Sequence, residues 1–264
     1  MSCDRNFGEW KLLRIIVTFA VRAEFAPWRR LRRFKRLRES GASIYSTQSG
    51  EGEIYVVLTG IGTRGARTEL HKLLARPTDI CVVSGLAGSL KSQHAAGTIL
   101  VARAIKRDKT ETVITSDRSL VKIATQCGAT AVDFFCTADA ILNSPPEKLR
   151  LGQTADAVEM ESFQIMTEAQ RNGVRAVALR AVSDPVDRNL PLDFNRVIDE
   201  DGEIGWLRAL SQVAAAPTRL PQLIRFGFES SRAARKLGHF LDEYVKCLTT
   251  EPTLQLNAAR TEVR

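Results

Sequence analysis

Acidic residues stand at the ends of three apolar segments of this chain. They are Glu24, Glu159, Glu161 and Asp184. Two carboxyl groups in one site can do acid–base chemistry, because one donates a proton to a leaving group while another activates a nucleophile. The sequence therefore raises the question of whether these residues share a single site.

Each of these residues has an ordinary structural explanation when taken alone. Glu161 precedes a helical pattern and could be a helix N-terminal acid, and Asp184 before Pro185 could be a cap. A glycine after a buried strand is usually just a turn. Taken together, the residues are more informative, because ligands in open parallel sheets bind where strands end. The same strand ends carry two glycine turns whose backbone N–H groups could approach a ligand, Thr59–Gly62 and Ser84–Gly88.

Strands and helices alternate along most of the chain. Apolar runs predict strands at 13–20, 43–47, 53–60, 79–85, 97–105, 129–135, 156–160 and 174–183. Helical periodicity predicts helices at 28–39, 63–75, 116–128 and 161–173, and Ser116 or Asp117 caps the third of these. This alternation predicts an α/β fold with a mixed, mainly parallel central sheet covered on both faces.

Beyond Pro185 the pattern becomes helical. Residues 196–250 contain two helical stretches, 203–216 and 219–248, separated by Pro217 and Pro221. We expect these helices to pack over the sheet or to form part of a subunit contact. Residues 251–264 have weak periodicity and are expected to fray. With no internal repeat and no linker, a single domain over residues 1–264 is the prediction.

Composition restricts the class of protein. The 264 residues are 44% hydrophobic and 26% charged, so the chain can bury a sizeable core and is not disordered by composition. The five cysteines form no CxxC pair and the three histidines share no ligand spacing, so we expect no metal site. The chain has no run of 18 apolar residues and no apolar signal-peptide core, so we expect a soluble cytoplasmic protein.

The net charge of +8 is concentrated in one segment, WRRLRRFKRLRE, from Trp28 to Glu39. Apolar residues recur there every three positions, which favours a helix with a core-facing stripe and a solvated basic face. Contact of Trp28–Arg38 with an anionic membrane remains a second interpretation. Nucleic acid as a partner is disfavoured, because no nucleic-acid-binding motif accompanies the basic run.

Several motifs follow one another between residues 13 and 195. They read IIVTFAVRAEF, LTGIGTRGA, VVSGLAGSL with AGTILVA, TADAIL, AVEMES and LRAVSDP. In order and spacing they resemble the nucleoside phosphorylase and nucleosidase superfamily, especially its methylthioadenosine/S-adenosylhomocysteine nucleosidase branch. The stretch LPQLIRFGFESSRAARKLGHFLDEY resembles the hopanoid-associated phosphorylase-type proteins of that superfamily. The resemblance implies a three-layer α/β/α fold of the nucleoside phosphorylase type, a homodimer, and chemistry without metal or organic cofactor.

The resemblance also implies a role for each acid. Asp184 matches the general acid that protonates a purine at N7, and Ser183 would orient it; burial there would favour its protonated form. Glu24 matches the glutamate that activates water. Glu161 would accept hydrogen bonds from the ribose, with Met160 under the sugar. The other substrate contacts implied are Glu159, Leu86, Ala87, Gly88, Leu142, Ile141 and Phe135.

The next inference concerns which molecule accepts the sugar, water or phosphate. Superfamily phosphorylases hold phosphate with arginines at strand ends, whereas this chain has Glu24 in the first turn and Val83 entering the SG motif. A carboxylate there would repel phosphate, so hydrolysis is favoured. Phosphorolysis, including that of a lipid-linked adenosine such as adenosylhopane, stays open, because Arg22, Arg64 or Arg67 could reach an anion.

Two features limit the choice of substrate. Where the nucleosidases have an aromatic residue against adenine, this chain has Ile141, and Phe135 could take over that contact. The 5′-substituent pocket cannot be assigned; Trp28, Trp206 and Phe226 are candidates for it, but core burial is the preferred interpretation of each. A nucleoside-binding or regulatory protein on the same fold is the alternative outside the enzymes.

Overall fold

The computed structural model describes residues 12–37, 43–63, 67–142, 144–188 and 220–250, together with residues 191, 193 and 218. The strands are β1 Leu13–Phe19, β2 Lys35–Leu37, β3 Ile44–Ser49, β4 Gly52–Leu58, β5 Ile80–Val83, β6 Leu86–Ser89, β7 Ile99–Arg107, β8 Val113–Thr115, β9 Thr130–Thr137, β10 Ala157–Glu159 and β11 Arg175–Asp184. The helices are α1 Arg22–Leu31, α2 Arg67–Leu74, α3 Arg118–Gln126, α4 Pro145–Gly152, α5 Ser162–Arg171 and α6 Leu220–Thr250, with a 3₁₀ turn at Ile61–Thr63.

The described strands form one mixed sheet in the order β2-β3-β4-β1-β5-β11-β6-β10-β9-β7-β8, and β11 also pairs with β7. Six strand pairs are parallel and five are antiparallel. The mixed sheet is therefore confirmed, with parallel pairs only slightly in the majority. Strands β1, β5 and β11 lie side by side and parallel, so their carboxyl ends reach the same edge.

Helices cover both faces of this sheet. Along β1, Ile15 and Val17 pack into a core with α1, α3 and α6, whereas Ile16 packs on the opposite face with α2 and α5. Side chains of a strand alternate between the two faces, so one apolar strand serves two cores. The predicted three-layer α/β/α architecture is confirmed.

The predicted helix at 28–39 is wrong in its bounds. Helix α1 ends at Leu31, Arg32 is extended, and Lys35–Leu37 forms an edge strand against β3. The chain turns there because Phe34 packs its ring 5.0 Å from Phe25, which anchors the segment to the core. The three-residue apolar spacing therefore reflects a helix followed by a turn and a strand.

Trp28 is fully buried, so it cannot serve as a membrane anchor. Its indole packs edge-on against Phe25 and Phe34, and its N–H donates to Asp242 of α6. The predicted membrane contact would therefore rest on exposed basic residues, Arg29 and Arg30 among them, and on the exposed Leu31. Among the helices that the structure describes, none combines the length and apolar character needed to cross a membrane.

Helix α6 confirms the second C-terminal helix and packs across α1 and the sheet. Pro221 lies in its first turn, where the missing N–H leaves no intrahelical bond broken. At Gly238 the two helices touch so closely that a Cβ would lie 2.9 Å from the backbone nitrogen of Trp28. The predicted helix 203–216, with Trp206, and the tail 251–264 lie outside the described residues.

Candidate active site

A cavity of about 310 Å³ opens where β1, β6, β10 and β11 end. Eleven of the twelve residues predicted for the site border it: Glu24, Leu86, Ala87, Gly88, Ile141, Leu142, Glu159, Met160, Glu161, Ser183 and Asp184. The exception is Phe135, whose side chain is fully buried in the core beneath β9. The expectation that Phe135 could contact a base is therefore wrong, because its position in β9 directs the ring into that core.

Glu24 lies in the first turn of α1, and backbone N–H groups fix its carboxylate. Oε1 accepts from the N–H of Leu86 at 2.9 Å, and Oε2 accepts from the N–H of Ala20 at 3.1 Å and from that of Val21 at 3.4 Å. Burial raises the pKa of Glu24, and the Leu86 N–H is the strongest opposing influence. Gly85 makes room for it, since a Cβ there would lie 3.2 Å from Oε1.

Glu159 borders the cavity, but its carboxylate is wholly buried and fully engaged. Oε2 accepts from the N–H of Glu161 at 2.9 Å, from the N–H of Ser162 at 2.7 Å and from Arg180 at 2.5 Å. Oε1 accepts from the hydroxyl of Thr137. The carboxylate thus caps α5 and holds Arg180, and the substrate contact of Glu159 stays a prediction.

Glu161 remains available to a ligand at the start of α5. Its Oε1 accepts from the N–H of Gly62 at 3.0 Å, and Oε2 lies 3.5 Å from Arg180. Burial and the charge of the neighbouring Glu159 together raise the pKa of Glu161 to about 7, against the attraction of Arg180. A carboxyl of this kind exchanges a proton near neutral pH.

Asp184 ends β11, and both of its oxygens are held. Oδ1 accepts from the hydroxyl of Ser183 at 2.7 Å, as predicted, and Oδ2 lies 2.5 Å from Nζ of Lys148. The carboxyl group rests against Gly88, where a Cβ would come within 3.1 Å of Oδ2. Lys148 thus places a cation directly against the carboxyl group of Asp184.

Sequence reasoning missed Lys148 and Arg180. Lys148 lies on α4, a helix with too few residues for a clear periodicity, although the capping pair of Ser144 and Glu147 marks its start. Arg180 was visible as a charged residue in an otherwise apolar strand, and a buried charge in such a strand needs a partner. Its partners are Glu159 and Glu161.

Helix α6 supplies one wall of the cavity through Phe226, Ser230, Ser231 and Ala234. Core burial was preferred for Phe226, but the residue lines the cavity, whereas Trp28 is in the core as preferred. Within the described residues, the buried hydroxyl of Ser230 has no hydrogen-bond partner. This wall combines an aromatic ring with a free polar group.

Of the three arginines considered for phosphate, the structure describes the side chain of Arg22, which does not border this cavity. Arg22 is exposed and donates to the hydroxyl of Ser43. Arg64 lies outside the described residues, as does the side chain of Arg67. Among the described residues, the cations bordering or backing the cavity are Lys148 and Arg180, both already paired with carboxylates.

Comparisons with known proteins agree with this architecture. The sequence model of the phosphorylase superfamily matches residues 14–204. Among solved structures, the 5′-methylthioadenosine/S-adenosyl homocysteine nucleosidase of Helicobacter pylori is 20% identical, with a TM-score of 0.67 over 89% of this chain and 98% of that one. Futalosine hydrolase of the same organism is 19% identical, with a TM-score of 0.65 over 89% and 97%. The 5′-methylthioadenosine/S-adenosylhomocysteine nucleosidase of Neisseria meningitidis, in complex with methylthio-immucillin-A, is 18% identical, with a TM-score of 0.65 over 89% and 99%.

Proposed function

Because the chain belongs to the phosphorylase superfamily, we propose that it hydrolyses the N-glycosidic bond of a purine nucleoside, and that its substrate is a 5′-modified adenosine. The observation that carries this proposal is that Glu24, Glu161 and Asp184 border one cavity. Breaking the bond requires a proton for the departing base, a nucleophile for the sugar and stabilisation of the positive charge at C1′. Three carboxyl groups can divide these tasks.

Asp184 is the group that protonates the base. A purine leaves poorly as an anion, and a proton on N7 makes it a neutral leaving group. The hydroxyl of Ser183 fixes the carboxyl group from one side and Gly88 leaves space beside it. General acids positioned in this way contribute roughly 10²–10⁴-fold to rate.

Glu24 is the group that activates water. Three N–H donors hold its carboxylate in one orientation, which suits a group that must meet a water molecule in a defined place. Burial raises its pKa, and a base is most effective when its pKa approaches the working pH.

Glu161 accepts the ribose hydroxyls, with Met160 against the sugar. Its carboxylate keeps acceptor capacity beyond the single N–H of Gly62, and Arg180 lies behind it. The negative charge of this group also favours an oxocarbenium-like transition state.

Strand β6 sets the spacing between acid and base. The N–H of Leu86 binds Glu24, and Gly88, two residues further on, packs against Asp184. Two residues of strand span roughly 7 Å. A spacing of this order leaves room for the anomeric carbon and its attacking water between the two groups.

Water is the acceptor that the charges favour. Glu24 and Glu161 border the cavity with their carboxylates, and Arg180 is already shared between Glu159 and Glu161. These carboxylates would repel a phosphate dianion in the cavity, and no unpaired cation among the described residues would offset that repulsion. Phosphorolysis would need a further cation in the cavity, and Arg64 and Arg67 are the candidates for that role.

The choice of a 5′-modified adenosine is supported by similarity and by the cavity wall. Two of the similar structures are nucleosidases named for 5′-methylthioadenosine and S-adenosylhomocysteine. Phe226 and Ala234 of α6 offer an apolar surface for a substituent at the 5′ position. Backbone groups at Ile141 and Leu142 are the proposed contacts for the base.

The test is to incubate the protein with a panel of 5′-substituted adenosines, adenosine and inosine, and to measure release of free base. Base release that is fastest for a 5′-substituted adenosine supports the proposal. The variant Glu24→Gln is the matched control, because it keeps the size of the side chain and removes its basicity. Tight binding of nucleosides without any base release would instead identify a binding protein on this fold.

A further inference from the structure

Lys148 is a buried lysine that stands behind Asp184. Its side chain is 1% exposed, and Nζ lies 2.5 Å from Oδ2 of Asp184, 3.0 Å from the carbonyl oxygen of Pro185 and 3.4 Å from that of Arg188. An unpaired ammonium in such a place would cost several kcal/mol. The three contacts therefore form a specific site for this group.

The number of hydrogens on Nζ matches the number of acceptors. A lysine ammonium has three N–H donors, and the three acceptors are one carboxylate oxygen and two carbonyl oxygens. If one proton passes to Asp184, the neutral amine keeps two N–H donors for the two carbonyls. Both protonation states of Lys148 thus leave its polar contacts satisfied.

Other charged groups around the pair are engaged elsewhere. Arg188, in the turn after β11, directs its guanidinium to Glu229 of α6 at 2.6 Å. On α4 itself, Glu147 caps the helix at Ser144. The other charged groups near the pair, among the described residues, include the exposed Asp187, Arg150, which pairs with Asp108, and the cavity group of Glu159, Glu161 and Arg180. Among the described residues, Asp184 is thus the carboxylate within hydrogen-bond distance of Nζ.

We propose that Lys148 supplies the proton that Asp184 passes to the leaving purine, an inference that rests on the function proposed above. The N–H bond on Nζ breaks as an O–H bond forms on Asp184. The carboxyl group then protonates N7 as the C1′–N9 bond breaks and its electron pair moves into the purine. Water forms the new bond to C1′ and gives its proton to Glu24. The amine of Lys148 and the carboxyl of Glu24 return to their starting states by exchange with solvent.

This arrangement sets the pH range over which the acid works. An ammonium ordinarily keeps its proton to about pH 10, whereas even a deeply buried carboxyl group loses its proton by about pH 8–9. A carboxyl group backed by an ammonium therefore has a proton source that a lone carboxyl group lacks. A carboxyl group without the lysine would be deprotonated at a lower pH, and proton donation to the purine would stop there.

The variant Lys148→Met tests this inference, because methionine fills a similar volume without a charge. In the variant, kcat/KM for the best purine nucleoside should begin to fall at a lower pH than in the wild type. Above the pH at which an unassisted carboxyl group loses its proton, the rate of the variant should fall about tenfold for each further pH unit, while the wild type keeps its rate. A profile that is lower but unchanged in shape would overturn the inference.

A second substrate separates proton supply from structure. The 4-nitrophenyl β-riboside releases a stable anion that needs no proton, so Lys148→Met should hydrolyse it at close to the wild-type rate. An equal loss on both substrates would assign Lys148 to packing and overturn the inference.

The variant Lys148→Arg completes the test, because a guanidinium keeps the charge but does not release its proton. It should be as poor as Lys148→Met on the purine nucleoside while it retains the 4-nitrophenyl substrate. Recovery of purine hydrolysis by arginine would show that charge alone suffices and would contradict proton supply. If the wild type itself releases no purine, the proposed function fails and this inference fails with it.

Discussion

Replacement of Glu161 by glutamine should stabilise the fold at alkaline pH even though it damages the site. Burial and repulsion from Glu159 together raise the pKa of Glu161 from 4.5 to about 7. A carboxyl whose pKa is higher in the folded state favours folding while it is protonated, below about 4.5, and loses that contribution as the pH rises through about 7. The difference corresponds to about 3 kcal/mol.

Glutamine avoids this loss of stability at high pH because it cannot ionise, and its carbonyl oxygen can still accept from the N–H of Gly62. The gap in unfolding free energy between Glu161→Gln and the wild type should therefore widen by about 2–3 kcal/mol from pH 5 to pH 8. That gap corresponds to roughly 5–10 °C in Tm. Urea denaturation of both proteins at the two pH values measures it.

Glu243→Gln is the matched control, because the side chain of Glu243 is 65% exposed and, within the described part of the chain, its ion pair is with the surface residue Lys246. Its stability relative to the wild type should change by no more than a few tenths of a kcal/mol with pH. A gap for Glu161→Gln that is the same at pH 5 and pH 8 would refute the assignment of Glu161 as a buried, easily protonated carboxyl.

Three further predictions concern catalysis. Asp184→Asn should keep the fold and nucleoside binding and lose roughly 10²–10⁴-fold in turnover. A variant that kept more than half of the wild-type rate would contradict the role of Asp184 as the general acid. The wild type should have a lower kcat/KM for 2′-deoxy and 3′-deoxy substrates, and Glu161→Gln should reduce that difference. Equal kcat/KM values of the wild type for these substrates would contradict the contact between Glu161 and the ribose. Gly88→Ala should lower kcat, because its Cβ would lie 3.1 Å from Oδ2 of Asp184, whereas Gly227→Ala meets nothing within 4 Å and should leave kcat unchanged.

The architecture was predictable because its signals are local. Most strands of the sheet lie in apolar runs long enough to show in the sequence, and the Asp117 side chain caps α3 as one of the two predicted candidates. Strands β2, β6 and β8 were missed, since three or four residues carry no measurable periodicity. The segment 28–39 misled because an apolar spacing of three also fits a helix that ends at Leu31.

The residues of the site that lie within the sequence motifs could be predicted. Glu24, Glu161 and Asp184 each end a strand or begin a helix, so the sheet brings them together. Lys148 could not be assigned to Asp184, since 36 residues separate them and only the packing of α4 joins them. Glu159 resembles a ligand group in the sequence, but in the structure its buried carboxylate accepts hydrogen bonds from α5, Arg180 and Thr137.

The central claim is that water, activated by Glu24, receives the sugar. The most direct measurement is to identify the sugar product by NMR after reaction of the best substrate with and without phosphate. Our account predicts free sugar at a rate indifferent to phosphate, with no product from Glu24→Gln. Sugar 1-phosphate as the main product, formed at a rate that saturates with phosphate, would contradict it.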